Sequence, residues 1–467
     1  MNNSHKTSKY NYLIDYNSKK LLFNGITGAG FCMTLQEYEI LLPLLRDLET
    51  FKNDFPEDFQ RLFRLGYIVE SDFDEIAYIR FKNKESVYLD KSYRIIINPT
   101  LDCNFHCWYC YQEHPKGYMD EQTISKIKNH LRLKIENKEI SSLNLSWFGG
   151  EPLLYFYEIV YPLSKFAKEL CDTNNIPFIS TITTNAYCMD EKMINTFNEI
   201  GLRGFQITLD GHREKHNKVR NANGTPSYDK IIENVNLLCE KIKNIELILR
   251  VNYDKQTLKR NATKLLQDIK EKNRNKIHID LQQVWQVVSI QENEQNKGNT
   301  QVQKFIEEAN NAGFGAAYGS GGLSVGRFHN CYVSRYNYLS VNCDGKIYKC
   351  TARGYTNQYV IGNFLDDGTI KWNVKELSKL YAKATFENTM CLNCTFLPIC
   401  MGPCPQKMVE AEEQNIENIC VMKLTEQSVK EKIIDLYEFS LKNIKRNEIF
   451  FINNINDDSN AKCTVAE

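Results

Sequence analysis

Cys103-Asn104-Phe105-His106-Cys107-Trp108-Tyr109-Cys110 sets three thiols at C-x3-C-x2-C spacing. The stretch follows an apolar run, Tyr93, Ile95, Ile96 and Ile97, that reads as a buried strand. A loop this short can wrap its sulfurs around one small inorganic centre. Three ligands are too few for a closed structural zinc site, which takes four. They suit a four-iron cluster, for which cysteine thiolates are the usual ligands. One iron is then left open to something that is not protein. The competing reading is a zinc loop with a distant fourth ligand, since soft thiolates serve both metals.

The remaining composition is that of an ordinary globular chain: 467 residues, 42% hydrophobic and 25% charged. Lysine plus arginine and aspartate plus glutamate each number 58, so bulk charge draws neither nucleic acid nor membrane. No apolar run approaches a membrane span, and the start, Met-Asn-Asn-Ser-His-Lys, carries no secretion segment. The expected location is cytoplasmic. Sixteen cysteines in such a compartment point to metal rather than disulfides.

Strand and helix patterns alternate over residues 93–311. Strands are expected at Tyr93–Thr100, Leu143–Phe148, Phe178–Thr184, Gly204–Leu209, Glu246–Asn252 and Ile277–Val284. Helices are expected between them, as at Asp120–Ile135, Asp190–Ile200 and Tyr228–Ile242. Such a series predicts an α/β fold with a parallel sheet, and its chemistry at the C-terminal strand ends. The polar motifs fall there: Gly149-Gly150-Glu151-Pro152, then Thr183-Thr184-Asn185, then Thr208-Leu209-Asp210-Gly211, with Arg220 following. Arg250, Asn252, Gln282 and Gln283 lie on the last strands, with Trp285 beyond. Cys171, Cys188 and Cys239 lie in or near helical patterns and read as small buried hydrophobes.

Two further regions flank this core. In residues 1–92, two short strands, Tyr10–Tyr16 and Lys20–Phe23, precede a helix from Leu35 to Leu48 capped by Thr34 and Glu37 and shortened by Pro43. A second helix, Pro56–Leu65, ends at Gly66. After a Gly/Ala-rich linker at 312–326, residues 327–425 carry Cys331, Cys343 and Cys350, then Cys391-x2-Cys394-x5-Cys400-x3-Cys404, then Cys420. Residues 426–467 read as a C-terminal helix and tail. Cys32 and Cys463 have no partner spacing.

The opening triad, with aromatic Tyr109 before its last cysteine, resembles the signature of the radical S-adenosylmethionine (SAM) superfamily. The later cysteines match the superfamily's SPASM pattern, with thirteen residues between Cys331 and Gly345 and four between Gly345 and Cys350. The resemblance implies a partial (β/α)6 barrel, a winged-helix-like N-terminal module and a cysteine-rich C-terminal domain. It implies SAM and three [4Fe–4S] clusters. Cys103, Cys107 and Cys110 would hold the SAM-binding cluster. The SAM site would be Tyr109, Gly149, Gly150, Glu151, Pro152, Thr184, Asn185, Thr208, Asp210 and Arg220. Glu151 and the glycine backbone would hold the ammonium, and Thr208 the ribose or carboxylate. Arg220 would clamp the carboxylate, unless it is a surface ion pair. Ala186 departs from the Thr-Asn-Gly common in the family.

By the family's interleaving, Cys331, Cys350 and Cys404 would hold one auxiliary cluster, and Cys391, Cys394, Cys400 and Cys420 the other. The first is one thiolate short, because Ser324, Val325 and Gly326 stand where some members supply a cysteine. Its open iron would accept a substrate cysteine, with Cys343 the rival ligand. The implied function is a peptide maturase that builds a thioether in a ribosomal precursor. The precursor's leader would add as a strand to the N-terminal module. Removal of residues 1–90 would then lower precursor affinity and spare SAM cleavage. A flavodoxin or ferredoxin would supply electrons. The rivals are carbon–carbon or cyclophane crosslinking, an anaerobic sulfatase maturase, and a zinc-stabilised scaffold. Sulfatase maturases follow the second SPASM cysteine with an Asp base, where this chain has Thr351.

Overall fold

The computed structural model describes residues 4–254, 263–284, 300–318, 325–413, 420 and 426–446. The chain divides into two compact units. One comprises the residues up to Leu89, a stretch ending at Arg335, and the residues from Leu380 onward. The other begins at Asp90 and takes in Tyr336–Lys379. Neither unit follows the linear boundaries expected above, because the cysteine-rich region is shared between them. Trp285, Ser324 and Cys463 lie outside the described residues.

The first unit starts with β1 (His5–Thr7), β2 (Asn11–Tyr16), β3 (Lys19–Asn24) and β4 (Gly30–Met33). β2, β3 and β4 form an antiparallel sheet in that order. Asn17 and Ser18 both have positive φ, 48° and 61°, which suits a two-residue hairpin turn. Helix α1 (Leu35–Arg46) opens with the expected capping box of Thr34 and Glu37 and ends one turn after Pro43. Helices α2 (Leu48–Asp54) and α3 (Pro56–Arg64) follow, then β5 (Ile68–Glu70), which pairs with β1, and α4 (Glu75–Lys84). The alternation of β3 divides its side chains between two cores. Leu22 joins Met33, Phe51 and Phe59 under the helices. Leu21 and Phe23 join Tyr12 and Ile14 on the other face, against Phe396, Ile399, Ile433 and Tyr437. The N-terminal sheet is therefore roofed by the cysteine-rich segment and by the C-terminal helix Glu426–Arg446.

The second unit is built on β6 (Ser92–Ile97), α5 (Glu121–Glu136), β7 (Ser142–Trp147), α6 (Tyr161–Thr173), β8 (Phe178–Thr184), α7 (Glu191–Phe197), β9 (Leu202–Leu209) and α8 (Arg213–Val219). A small hairpin, β10 (Asn221–Ala222) and β11 (Thr225–Pro226), leads to α9 (Tyr228–Lys241), β12 (Glu246–Tyr253) and β13 (Ile277–Gln283). β6, β7, β8, β9, β12 and β13 are parallel neighbours in chain order, the six expected strands. Ile95, Ile97, Leu145, Ile207, Leu209, Leu249, Val251, Ile279 and Leu281 are buried along them. This is an α/β parallel sheet with its motifs at one end.

Both edges of the sheet are extended in ways the sequence reading lacked. On one side β14 (Gly315–Tyr318) adds parallel to β13, so part of the expected linker is a strand. A Cβ on Gly315 would meet His278 Nδ1 at 3.1 Å, which fits the small residues at this edge. On the other side β15 (Tyr338–Val341) adds parallel to β6, followed antiparallel by β16 (Lys346–Tyr348), β17 (Gly362–Phe364) and β18 (Ile370–Trp372). Cys343 sits in the β15–β16 turn, closed by Gly345 at φ 79°.

Candidate functional site

The loop after β6 carries Cys103, Cys107 and Cys110 and folds back on itself. Met119 N–H donates to the Pro99 carbonyl at 2.8 Å. Its floor is the Gly149–Gly150 pair after β7. Gly149 has φ 118°, Gly150 N–H donates to Thr100 O at 3.2 Å, and Glu151 N–H to Asp102 O at 2.8 Å. The glycines are needed because this backbone lies directly on the segment that leads into Cys103.

Glu151 is fully buried and ties the second and third strand ends together. Its carboxylate accepts from Thr184 Oγ1 at 2.7 Å, Asn185 N–H at 2.7 Å and Leu153 N–H at 3.0 Å. Three of about four lone-pair sites are thereby used, leaving room for one more donor. Burial pushes its pKa up to about 7 against the pull of these bonds. Pro152 is buried beside it. Asn185 Nδ2 donates to Asn104 Oδ1 at 2.7 Å, and Asn104 Nδ2 to Cys188 Sγ at 3.4 Å. Cys188 lies in the loop after β8, just before α7 and so near a helix as read, but it is half-buried rather than a buried hydrophobe. Cys171 and Cys239 are buried in helices, as read.

Tyr109 is the hub of the opposite wall. Its hydroxyl lies 2.7 Å from both Asp210 oxygens. It accepts from Arg220 Nη2 at 2.8 Å and from Asn252 Nδ2 at 3.0 Å. Arg220 Nε also pairs with Asp210 at 2.5 Å. Burial works against the Arg220 charge, but Asp210 and Tyr109 outweigh it and raise its pKa. Arg220 is therefore no surface ion pair. Thr208 is buried at the end of β9. Arg250 instead pairs with Asp280 at 3.1 Å, to which Gln282 also donates at 3.0 Å.

The three thiols lie within electrostatic reach of one another. Burial pushes Cys103 up to about 12 and raises Cys107. Burial acts to raise Cys110 too, but a hydrogen bond with His114 helps hold it below its ordinary value. His114 Nδ1 in turn bonds the Leu101 carbonyl at 2.9 Å. Sequence reading missed His114 and Asn104, since only the folding-back of the loop brings them to the thiols. Phe105 N–H points at Cys103 Sγ at 3.4 Å. The donor set fits a cluster held on three thiolates. Among the described residues, no three His, Cys, Asp or Glu side chains form a single-ion site.

Residues 97–260 match the family model described as the radical SAM superfamily. The chain carries a radical SAM domain. A serine-type anaerobic sulfatase-maturating enzyme of Bacteroides thetaiotaomicron is 29% identical over 149 residues, 29% of this chain and 34% of that enzyme. Fe-coproporphyrin III synthase of Methanosarcina barkeri is 25% identical over 170 residues, 36% of this chain and 39% of that one. The chain thus spans between a third and two-fifths of the length of these two relatives. A solved structure described as native anSMEcpe with bound AdoMet and Cp18Cys peptide shares the fold, with TM-score 0.52 and 17% identity over 77% of this chain and 100% of that one.

The first unit gathers Cys331, Cys391, Cys394, Cys400, Cys404 and Cys420. Cys400 lies within electrostatic reach of Cys391, Cys394 and Cys420, and burial pushes it up to about 11. Cys331 lies within electrostatic reach of Cys404, and burial raises its thiol above the ordinary value. Backbone N–H groups aim at several of these sulfurs: Phe396 at Cys394 and Lys407 at Cys404, each at 3.4 Å. Cys343 and Cys350 belong to the second unit. There the Ala352 N–H points at Cys350 Sγ at 3.3 Å, and Tyr111 donates to the Thr351 carbonyl at 2.7 Å. Burial raises the Cys343 thiol above its ordinary value. Among the described residues, no helix is long and apolar enough to cross a membrane.

Proposed function

We propose that the chain is a peptide maturase that joins a cysteine sulfur to a peptide carbon, as a thioether, in a ribosomally made precursor. The observation that carries the reading is the pairing of a three-thiol loop at the strand ends with a second gathered set, Cys391, Cys394, Cys400 and Cys420. Cys103, Cys107 and Cys110 would hold a [4Fe–4S] cluster with one iron open to SAM. Cys331, Cys350 and Cys404 would hold one auxiliary cluster, and the second set the other. With SAM bound, the first cluster supplies a carbon radical able to abstract hydrogen. The chain's own residues bind and orient. Glu151 retains one acceptor site for an ammonium, and Arg220, held along one edge by Asp210 and Tyr109, keeps its other edge for a carboxylate. The first auxiliary cluster would be one protein thiolate short, with Cys343 the rival ligand.

A peptide substrate is supported by the solved neighbour described with AdoMet and a peptide bound. The N-terminal sheet, with β4 as a strand edge, supports leader binding by strand addition. The curated relative supports a second reading, formylglycine formation. Thr351, which has no carboxylate, speaks against it. A flavodoxin- or ferredoxin-type protein would supply electrons. The test is co-expression with a short cysteine-bearing peptide encoded nearby, followed by mass spectrometry. Loss of a hydrogen pair with a cysteine that no longer alkylates is the thioether outcome. The same loss with a free thiol is a carbon–carbon link, and a single-residue aldehyde is the sulfatase reading.

A further inference from the structure

The phenolic oxygen of Tyr10 is buried and, among the described residues, meets no hydrogen-bond partner. The residue cannot readily swing out to find one. Its N–H donates to Ser8 Oγ at 3.1 Å, and its carbonyl accepts from Gly25 N–H at 2.9 Å. A buried O–H with nothing to donate to is costly and calls for an acceptor.

The surroundings name one. The Tyr10 ring lies in a core with Phe386, Leu397 and Met401, against which Cys391 packs. Two residues on, Tyr12 faces the core of Phe396 and Ile399, against which Cys394 and Cys400 pack. Tyr12 is satisfied, because its hydroxyl donates to the Thr395 carbonyl. Lys9 Nζ donates to the Leu392 carbonyl at 3.0 Å. The turn into β2 and the start of β2 thus back the C-x2-C-x5-C loop, with one hydroxyl left over. A phenol keeps its proton at neutral pH and can donate it.

We propose that Tyr10 donates its phenolic hydrogen to sulfur of an iron–sulfur cluster held by Cys391, Cys394, Cys400 and Cys420. The N-terminal sheet is then part of that cluster's site, beyond any role in recognising a peptide. The inference rests on the ligand set proposed above. Hydrogen bonds to cluster sulfur stabilise the reduced form and raise the reduction potential.

The experiment is a reductive titration, monitored by EPR, of reconstituted full-length protein, following the signal that Cys400→Ala abolishes. Tyr10→Phe removes the O–H and keeps the ring. Its midpoint is expected to fall by the equivalent of about a tenfold change in equilibrium, about 59 mV for one electron. Difluorotyrosine at position 10, a stronger donor of nearly the same size, is expected to raise it, and serves if Tyr10→Phe does not fold. Opposite shifts support the hydrogen bond, since a merely structural role gives no such reversal. Unchanged midpoints, with iron lost in Cys400→Ala, overturn the Tyr10 role alone. Full iron in Cys400→Ala overturns the ligand set, and this inference with it.

Discussion

Gly150 lies so close to Asp102 that a Cβ on the glycine would stand 2.1 Å from the aspartate's carbonyl oxygen, and 2.4 Å from that of Leu101. Both obstacles are backbone, so neither can rotate away. Gly150→Ala must displace the segment entering Cys103. The expected outcome is loss of one cluster's worth of iron after anaerobic reconstitution, measured by iron and sulfide content. Wild-type iron content in this variant would show that the glycine floor does not position the triad.

Ala186 tells the opposite story about a small residue. It has φ 60°, the left-handed region that costs a non-glycine residue about 1–2 kcal/mol. Asn234 holds the turn by donating to the Ala186 carbonyl at 2.8 Å. The glycine common in the family at this position removes the strain, offset by the greater freedom of the unfolded chain. Ala186→Gly is expected to stabilise the protein by roughly 0.5–1 kcal/mol, read as a raised urea midpoint.

The Glu151 carboxyl titrates near 7 when folded, above its ordinary value, because burial disfavours its charge. Between about pH 4.5 and 7 the folded state keeps a proton that the unfolded state has released. Stability from this group is therefore present at low pH and lost as pH rises through that window. Thermal midpoints of cluster-free protein should show that downward contribution, and Glu151→Gln should flatten it. Equal slopes in both proteins would contradict the assignment.

The sequence-based expectation that residues 1–90 can be removed without harm to SAM cleavage changes once their packing is known. Tyr12, Ile14, Leu21 and Phe23 share a core with Phe396 and Ile399. Arg80 pairs with Glu387 at 2.7 Å. Deletion strips cover from the Cys391–Cys400 loop, so we expect loss of auxiliary iron as well as of peptide binding. Full iron in the truncated protein would restore the independent-module view.

What the sequence made legible follows from the physics of each element. The six parallel strands carry dense apolar runs, and the motifs stand at their ends, so both could be read locally. β14 could not, because Gly315-Ala-Ala-Tyr carries a single strand-favouring residue, Tyr318; it exists by pairing with β13. β15 joins the sheet beside β6, a pairing across more than two hundred residues that no local pattern encodes. The half-buried setting of Cys188 was not legible for the same reason, since its partner Asn104 lies far away in the chain. The network of Tyr109, Asp210, Arg220 and Asn252 was visible only as separate residues.

The most direct test of the central claim is SAM cleavage by anaerobically reconstituted protein under dithionite, with 5′-deoxyadenosine measured by chromatography. Brown wild-type protein that forms it, beside a Cys107→Ala variant that forms none and lacks one cluster's iron, is the predicted result. Colourless protein that binds only zinc and leaves SAM intact would contradict the account.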